Sequence, residues 1–266
     1  MRRFSFYMLS LILVLSCVEA RACRYSVREV GFVDLNPSRY MLYVYVDDGV
    51  PADVITLVKR VVFLTLMDTP IDMEVVHVEE DAGHLGLEYL AKGNFETYPG
   101  MVMVSPDGYT WPWAFDVSST DLKADLEAFL ASFTTSPLRA QILKNLPHFC
   151  TVLYFESTDV GSSKATETII KESIDTVILH MPDMDKATEL PPVLLKVSVE
   201  EAKQDPVLLW SLGLDVEDLD IPRVAVLFGK ARRMGAVLRG DRINKEELVK
   251  VMGLIGASCE CGLDRK

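Results

Sequence analysis

Apolar and polar positions along the chain form runs whose order occurs twice. Tyr40–Val46, YMLYVYV, is continuously apolar and aromatic, which is typical of a strand buried on both faces. Pro51–Leu66 spaces its valines and leucines three and four residues apart, which predicts a helix. A strand at Ile71–Val78, a short helix ending near Gly93, a hairpin and a serine-capped amphipathic helix ending near Phe133 complete the first unit.

The second unit repeats that order after a Thr/Ser/Pro joint. Its predicted elements are a buried strand in Phe149–Ser157, a helix in Lys164–Ile178, a strand in Pro192–Glu200 and a short helix in Asp205–Leu214. A hairpin and a final helix, with Asn244 and Glu247 spaced as a capping pair, follow. Prolines stand at equivalent points of the two units, at Pro99 and Pro222. The chain therefore reads as an internal duplication of about a hundred residues per unit, each large enough to hold its own core.

This order, with a proline opening the third strand, resembles the thioredoxin-like fold. The stretch LLKVSVEEAKQDPVLLWSLGL followed by IPRVAVLF carries the resemblance most closely, and the pattern covers nearly the whole chain after residue 40. The resemblance implies an α/β fold of two tandem thioredoxin-like domains, each with a mixed central sheet flanked by helices. It also implies cis peptide bonds at Tyr98–Pro99 and Ile221–Pro222, each lining a groove that exposes backbone for an extended ligand.

The redox half of the thioredoxin site is missing from both units. Thioredoxins carry Cys-x-x-Cys where the first strand meets the first helix, because the helix N-terminus lowers the pKa of the attacking thiol. The corresponding stretches are VDDGVPAD, Val46–Asp53, and ESTDVGSSK, Glu156–Lys164, which contain no cysteine. Asp47, Asp48 and Asp159 would disfavour a thiolate there. We therefore expect binding grooves, formed by Tyr98, Pro99, Ile221 and Pro222, without catalytic residues.

The first 22 residues predict export. Two arginines, an apolar run from Phe4 to Val18 and the sequence Ala-Arg-Ala before Cys23 fit a secretory signal peptide. The competing interpretation is lipoprotein processing at Cys17, which would tether the protein to a membrane. Either route places the protein in the periplasm or outside the cell. The formal net charge of −12 argues against nucleic-acid binding and is typical of a solubilising surface.

Four further cysteines are candidates for disulfides in an exported chain, with three possible connectivities: Cys23, Cys150, Cys259 and Cys261. Cys259 and Cys261 are also candidates for a redox-active pair, since a bond between such close residues would be strained and easily reduced. Cys150 abuts a predicted buried strand and is equally a candidate for an inert core thiol.

The sequence thus predicts a signal peptide at 1–22, a first domain with a lead-in strand at 23–135, a linker at 136–147, a second domain at 148–256 and a cysteine-containing tail at 257–266. The function we expect is binding or assembly at the cell envelope with an unidentified protein partner, rather than enzymatic activity. Two alternatives stay open: a thiol-disulfide oxidoreductase that uses Cys259 and Cys261, and a subunit of an envelope complex that is lipid-anchored at Cys17. No motif predicts a metal or cofactor.

Overall fold

The computed structural model describes residues 26–33, 38–93, 95, 98–184 and 188–257. Two mixed sheets with flanking helices follow one another along the chain. None of the helices in this described part combines the length and apolar character needed to cross a membrane.

The first domain is built around a four-stranded sheet. The strand order is β2-β1-β3-β4; β1 is parallel to β2 and antiparallel to β3, and β3 is antiparallel to β4. The elements are β1 (Tyr40–Val46), α2 (Ala52–Leu66), β2 (Ile71–His77), a 3₁₀ turn (Leu85–Tyr89), α3 (Leu90–Gly93), β3 (Gly100–Val104), β4 (Thr110–Ala114) and α4 (Leu122–Thr134), after a short α1 (Val27–Val30) in the lead-in.

The helix pattern explains the packing of this domain. One face of α2 is buried through Val58, Val61, Val62 and Leu66, and it lies beside the apolar face of α4. The other face of the sheet is covered by an aromatic group around Tyr43 and Tyr45. Because β1 has core on both of its faces, its sequence is apolar throughout.

The second domain repeats the arrangement. Its strand order is β6-β5-β7-β8, with β5 parallel to β6 and antiparallel to β7, while β9 also pairs with β7. The elements are α5 (Pro137–Lys144), β5 (Thr151–Phe155), α6 (Val160–His180), β6 (Val193–Val197), α7 (Val199–Lys203), α8 (Pro206–Ser211), β7 (Arg223–Phe228), β8 (Arg232–Arg233), β9 (Leu238–Arg239) and α9 (Lys245–Gly256), with 3₁₀ turns at Met181–Asp183, Val216–Asp220 and Gly240–Arg242.

Both sheets therefore have the topology of the thioredoxin-like fold: strand, helix, parallel strand, then an antiparallel pair and a closing helix. The predicted fold class, α/β with two tandem thioredoxin-like domains, is confirmed by this strand order. Two details of the prediction were wrong. The cap of α4 is Asp121, whose carboxylate accepts from the Ala124 amide at 3.1 Å, and not a serine. The returning strand of the second hairpin is split into β8 and β9.

The segment predicted as a linker, 136–147, contains α5. Ser136 caps this helix by accepting from the Arg139 amide at 2.9 Å, and Pro137 occupies its first turn. Leu138 and Ile142 are buried in a core cluster of the second domain. This helix is thus an ordered part of the second domain.

The lead-in segment, residues 26–33, contains a short helix and packs on the second domain, where the pattern predicted a strand of the first domain. The Val27 amide donates to the Ala257 carbonyl at 3.1 Å, and the Lys230 amide donates to the Gly31 carbonyl at 3.0 Å. The Arg28 guanidinium donates to the carbonyls of residues 146, 147 and 148. The segment is helical because Ser26 and Glu29 form a capping box, which starts a short helix at Val27.

Candidate binding sites at the two cysteine-free loops

The first candidate site lies where β1 ends and α2 begins. Gly100 is opposite Tyr45 in the antiparallel β1–β3 ladder, so Pro99 enters β3 beside the end of β1. The Tyr98–Pro99 peptide bond is cis, which confirms that prediction. Pro99 is buried and Tyr98 is half-buried. The fold thus brings the proline and the loop that follows β1 to the same end of the sheet.

The loop of this first site is held by its own polar groups. The Asp47 carboxylate accepts from the Gly49 amide at 3.0 Å, and the Asp47 carbonyl accepts from the Val50 amide at 3.2 Å. Val50 is buried in the main core cluster of the domain, against which Tyr98 also packs. Asp48 is exposed. The loop that leads into α2 therefore contains a buried valine and two aspartates, where a dithiol protein has its cysteines.

In the second domain, the equivalent proline lies at the equivalent place. Arg223 is opposite Phe155 in the β5–β7 ladder, so Pro222 enters β7 beside the end of β5. The predicted cis bond at Ile221–Pro222 was wrong: among the described residues the Tyr98–Pro99 bond alone is cis. Ile221 has the extended backbone that a following proline favours. The buried Arg223 donates from Nε to the Asp218 carbonyl at 2.5 Å, which fixes the approach to β7.

The loop after β5 borders a polar cleft of about 530 Å³. Asp159 caps α6 by accepting from the Gly161 amide at 3.0 Å, and the Ser157 amide donates to the Ser163 hydroxyl at 3.1 Å. The cleft is lined by hydroxyl and charged side chains, among them Ser157, Ser163, Lys164, Lys196, Ser198 and Glu200.

Lys196 in this cleft is paired with two acids. Lys196 Nζ lies 2.9 Å from Glu156 Oε1 and 2.9 Å from Glu167 Oε2. These hydrogen bonds raise the pKa of Lys196. A hydrogen bond from Lys171 and a smaller contribution from the hydrogen bond of Lys196 lower the pKa of Glu167. Because the ammonium is shared by two carboxylates, the cleft does not present a free cation at this point.

Cys150 is a core thiol. It is 1% exposed in a cluster with Phe149 and Ile255, and it is a free cysteine. Burial raises its pKa to about 12, although the nearby Arg28 opposes the rise. Both properties fit the inert alternative and not a disulfide of the folded protein. The predicted signal peptide, residues 1–22 with Cys17, and the candidates Cys23, Cys259 and Cys261 lie outside the described residues.

Two functional features of the second domain were missed by sequence reasoning. The Glu156–Lys196–Glu167 group joins residues from three separate segments of the chain, so no spacing within one segment predicts it. Trp210 packs into the core of the first domain, where it stacks on Tyr109 with ring centroids 6.0 Å apart and meets Trp111 edge-on at 6.4 Å. Its only sequence signal is an aromatic residue in a short amphipathic helix.

Fold and loops together define a protein of two thioredoxin-like domains whose helix N-termini carry no cysteine. No protein-family model matches the chain, and no curated protein matches it. Among solved structures, the chain is similar to the first two thioredoxin domains of Saccharomyces cerevisiae Eps1p, at 13% identity and a TM-score of 0.30, covering 81% of this chain and 91% of that one.

Two further solved structures are similar to a comparable extent. The zinc-bound form of human ERp44 is 10% identical with a TM-score of 0.30, covering 81% of this chain and 52% of that one. The first two thioredoxin domains of Naumovozyma dairenensis Eps1p are 10% identical with a TM-score of 0.26, covering 76% and 85%. The fold assignment rests on the strand order and pairing described above.

Proposed function

We propose that the protein is exported and binds extended segments of a protein partner, without dithiol catalysis, at the groove beside Tyr98 and Pro99. The observation that carries the proposal is the chemistry of the loop at that groove. Carboxylates and the buried Val50 stand at the N-terminus of α2, where a thiol-disulfide enzyme needs a thiolate.

The lack of a thiol at both helix N-termini supports a non-catalytic role. A thiolate nucleophile is stabilised by a helix N-terminus or a cation and destabilised by a nearby carboxylate. Asp47 and Asp48 stand at the first such position, and Asp159 caps the helix at the second. Cys150 is too deeply buried to act on a large substrate.

The first domain is the better binding candidate because a partly exposed aromatic side chain precedes its cis proline. Tyr98 is half-buried, so its ring offers area that an extended peptide can cover. In the second domain the cleft beside β5 is lined largely by hydroxyl and charged side chains, and its Lys196 is already paired with two acids. We therefore assign the partner to the first groove and a supporting role to the second domain.

A binding experiment tests this assignment. The probe is a permanently unfolded, S-carboxymethylated protein, followed by fluorescence anisotropy. Tyr98→Ala should raise Kd about tenfold, as expected for loss of an aromatic anchor. Leu254→Ala, which removes an exposed apolar side chain of α9, should leave Kd unchanged. Equal Kd values for the wild type and Tyr98→Ala, with both folded by circular dichroism, would contradict the proposal.

An insulin-reduction assay tests the lack of redox catalysis. The wild type should not accelerate reduction by dithiothreitol, and neither should the double variant Cys259→Ser/Cys261→Ser. Activity that survives in the double variant means that some other thiol is catalytic. Activity present in the wild type and lost in the double variant favours the oxidoreductase alternative that uses the tail.

Export is tested by the mass of the mature protein. The leader pattern supports cleavage before Cys23, which leaves an unmodified chain beginning at that residue. A chain beginning at Cys17 with attached acyl groups would instead establish the lipid-anchored alternative. A chain that retains residues 1–22 in the cytoplasm would contradict export altogether.

A further inference from the structure

We propose that the outer edge of β2, together with the apolar groove beside it, binds an extended segment of a partner protein that carries apolar side chains on one face and lysine or arginine on the other. Such a segment would add a strand to the sheet of the first domain. Strand β2 lies on the other side of β1 from β3, which Pro99 precedes. This surface is therefore separate from the groove of the proposed function.

The backbone of β2 is open along its outer side. The Tyr40 amide donates to the Pro70 carbonyl at 2.8 Å, and the Val78 amide donates to the Val46 carbonyl at 3.0 Å. Because alternate residues of a strand turn their N–H and C=O groups to the same side, the even-numbered residues of β2 bond to β1. The odd-numbered residues of 71–75 therefore present their amides and carbonyls outward, and no strand in the described part of the chain pairs with them.

This open stretch has a definite end at His77. The His77 amide donates to Asp81 Oδ2 at 2.9 Å, and the His77 carbonyl accepts from the Asp81 amide at 2.9 Å. The turn that follows β2 thus uses the outward groups of His77. A bound strand would be limited to residues 71–75, where three residues each offer one donor and one acceptor.

An apolar groove of about 270 Å³ lies beside the open edge. It is lined on one side by Phe63 of α2 and Met67 just beyond it, whose exposed fractions are 65% and 61%. Ile71 and Met73 line the other side, on the face of the sheet that packs against the main core cluster of the domain. Because the side chains of a strand point alternately to the two faces, every second residue of a bound segment would cover this groove. Apolar side chains are required there to remove the surface of Phe63 and Met67 from water.

The opposite face of the same edge is acidic. Asp72 and Glu74 alternate with the apolar residues and lie on the face that holds Tyr43, which is opposite Glu74 in the β1–β2 ladder. Arg39 forms an ion pair with Asp72, so a guanidinium already occupies part of this edge. Glu74 is about half exposed, with His84 Nε2 3.3 Å from its carboxylate. A lysine or arginine on the bound segment, opposite Glu74, would meet an accessible carboxylate.

The same two acids argue against a second copy of this chain as the occupant. Two β2 edges related by a two-fold axis would pair antiparallel. Pairing centred on Met73 sets Asp72 opposite Glu74 of the other copy, and pairing centred on either acid sets that acid opposite itself. Like charges directly opposite each other destabilise a strand pair, so the edge favours a cationic segment over its own copy. The formal net charge of −12 acts in the same direction.

Fluorescence anisotropy with the complete chain tests the proposal. The probe is a short fluorescein-labelled peptide that alternates valine and lysine. Phe63→Ser should raise Kd about tenfold through loss of an aromatic contact. Leu64→Ser is the matched control, because Leu64 is a neighbouring exposed side chain of α2 outside the groove lining, and it should leave Kd unchanged. Glu74→Lys should raise Kd about fivefold and should tighten binding of a peptide that alternates valine and glutamate.

Hydrogen exchange resolved to single amides locates the bound peptide. In the free protein the amides of residues 71, 73 and 75 should exchange fast, whereas those of residues 72, 74 and 76 are protected by β1. Saturation with the valine–lysine peptide should slow exchange at the first three. Protection of these three amides in the free protein would mean that the edge is already covered, by another segment of the chain if sedimentation shows a monomer or by a second copy if it shows a dimer. Either result would overturn the proposal.

The variants also separate this surface from the groove beside Pro99. Weaker binding of the valine–lysine peptide in Tyr98→Ala, with no change in Phe63→Ser, would place the peptide in that groove and would overturn the proposal. Equal Kd values for Phe63→Ser and Leu64→Ser, with both variants folded by circular dichroism, would do the same. The experiment with the unfolded-protein probe and Tyr98→Ala bears on the proposed function alone, so the two proposals fail separately.

Discussion

Arg139 and Asp205 form an ion pair at the junction of the two domains, with Arg139 Nε 3.0 Å from Asp205 Oδ2. Asp205 is almost fully buried, and its carboxylate also accepts from the Leu208 amide at the start of α8. The same guanidinium donates to the carbonyls of residues 132, 133 and 135 at the end of α4. Arg139 thus donates hydrogen bonds to the carbonyls at the end of a first-domain helix and also pairs with a buried carboxylate of the second domain.

Replacing Arg139 by alanine should therefore destabilise the protein by about 3 kcal/mol, because a buried carboxylate loses its cation and three helix carbonyls lose a donor. The measurement is the urea midpoint of unfolding followed by circular dichroism. Lys123→Ala, which breaks the exposed Lys123–Glu127 pair, is the matched control and should change stability by less than about 0.5 kcal/mol. Similar midpoints for the two variants would refute the role given to Arg139.

Trp210 is the aromatic link between the domains. Removing it with Trp210→Ala should cost about 3–5 kcal/mol, because a large buried side chain leaves a cavity between Tyr109, Trp111 and the first-domain core. We expect calorimetry to show two separated unfolding transitions, since the variant loses coupling and not only stability.

The control for that experiment is Trp113→Ala. Trp113 stacks on Phe129 at 4.2 Å within the first domain, and its ring contacts among the described residues lie within that domain. Its loss should lower the melting temperature of the first domain without changing how the two domains are coupled. A single cooperative transition in Trp210→Ala, like that of the control, would show that the tryptophan does not couple them.

The pattern of apolar residues within single segments was enough to predict the individual strands and helices. The apolar run of β1 and the spacing of valines in α2 each require burial of a definite face, so the sequence predicted the order of strands and helices along the chain in both domains. The cis peptide bond at Tyr98–Pro99 was likewise predicted, because the resemblance to the thioredoxin-like fold implies it.

Contacts between distant segments could not be predicted in the same way. The lead-in was assigned to the nearer domain, but it packs on the farther one through Arg28 and backbone carbonyls that have no side-chain pattern. The predicted cis isomer at Ile221–Pro222 was wrong because the intrinsic preference of an X-Pro bond for trans over cis is small, and tertiary contacts decide which isomer forms. The pairing of Lys196 with two acids could not be predicted because it depends on how α6 packs beside β6.

Cys150 should be unreactive in the native protein. Its pKa is raised to about 12 by burial, so at pH 8 roughly one thiol in ten thousand is ionised, and that thiolate is enclosed. In a variant that lacks the other cysteines, iodoacetamide should label Cys150 only in guanidinium, as followed by intact mass. Because the folded pKa lies above the unfolded one, burial of the neutral thiol is compatible with full stability below its ordinary pKa of 9.0. Stability should fall as the pH rises from 9.0 towards 12, and labelling should become faster over the same range.

Rapid labelling in native buffer would mean that the cluster around Cys150 opens readily. Such a result would also contradict the assignment of Cys150 as an inert core thiol. The control is the same variant carrying Cys150→Ser, which should take up no label in either condition.

Gly229 is the point where the second hairpin meets the lead-in. It has φ +57°, and a Cβ there would lie 2.3 Å from the Gly31 carbonyl carbon. Gly229→Ala should therefore displace residues 26–33 and cost more than the roughly 1 kcal/mol of left-handed strain alone. Gly235→Ala is the matched control, because Gly235 has φ +70° with open space around its Cβ position and should show the strain alone. Limited trypsin cleavage after Arg28 reports release of the segment; equal cleavage rates in the two variants would show that Gly229 does not hold it.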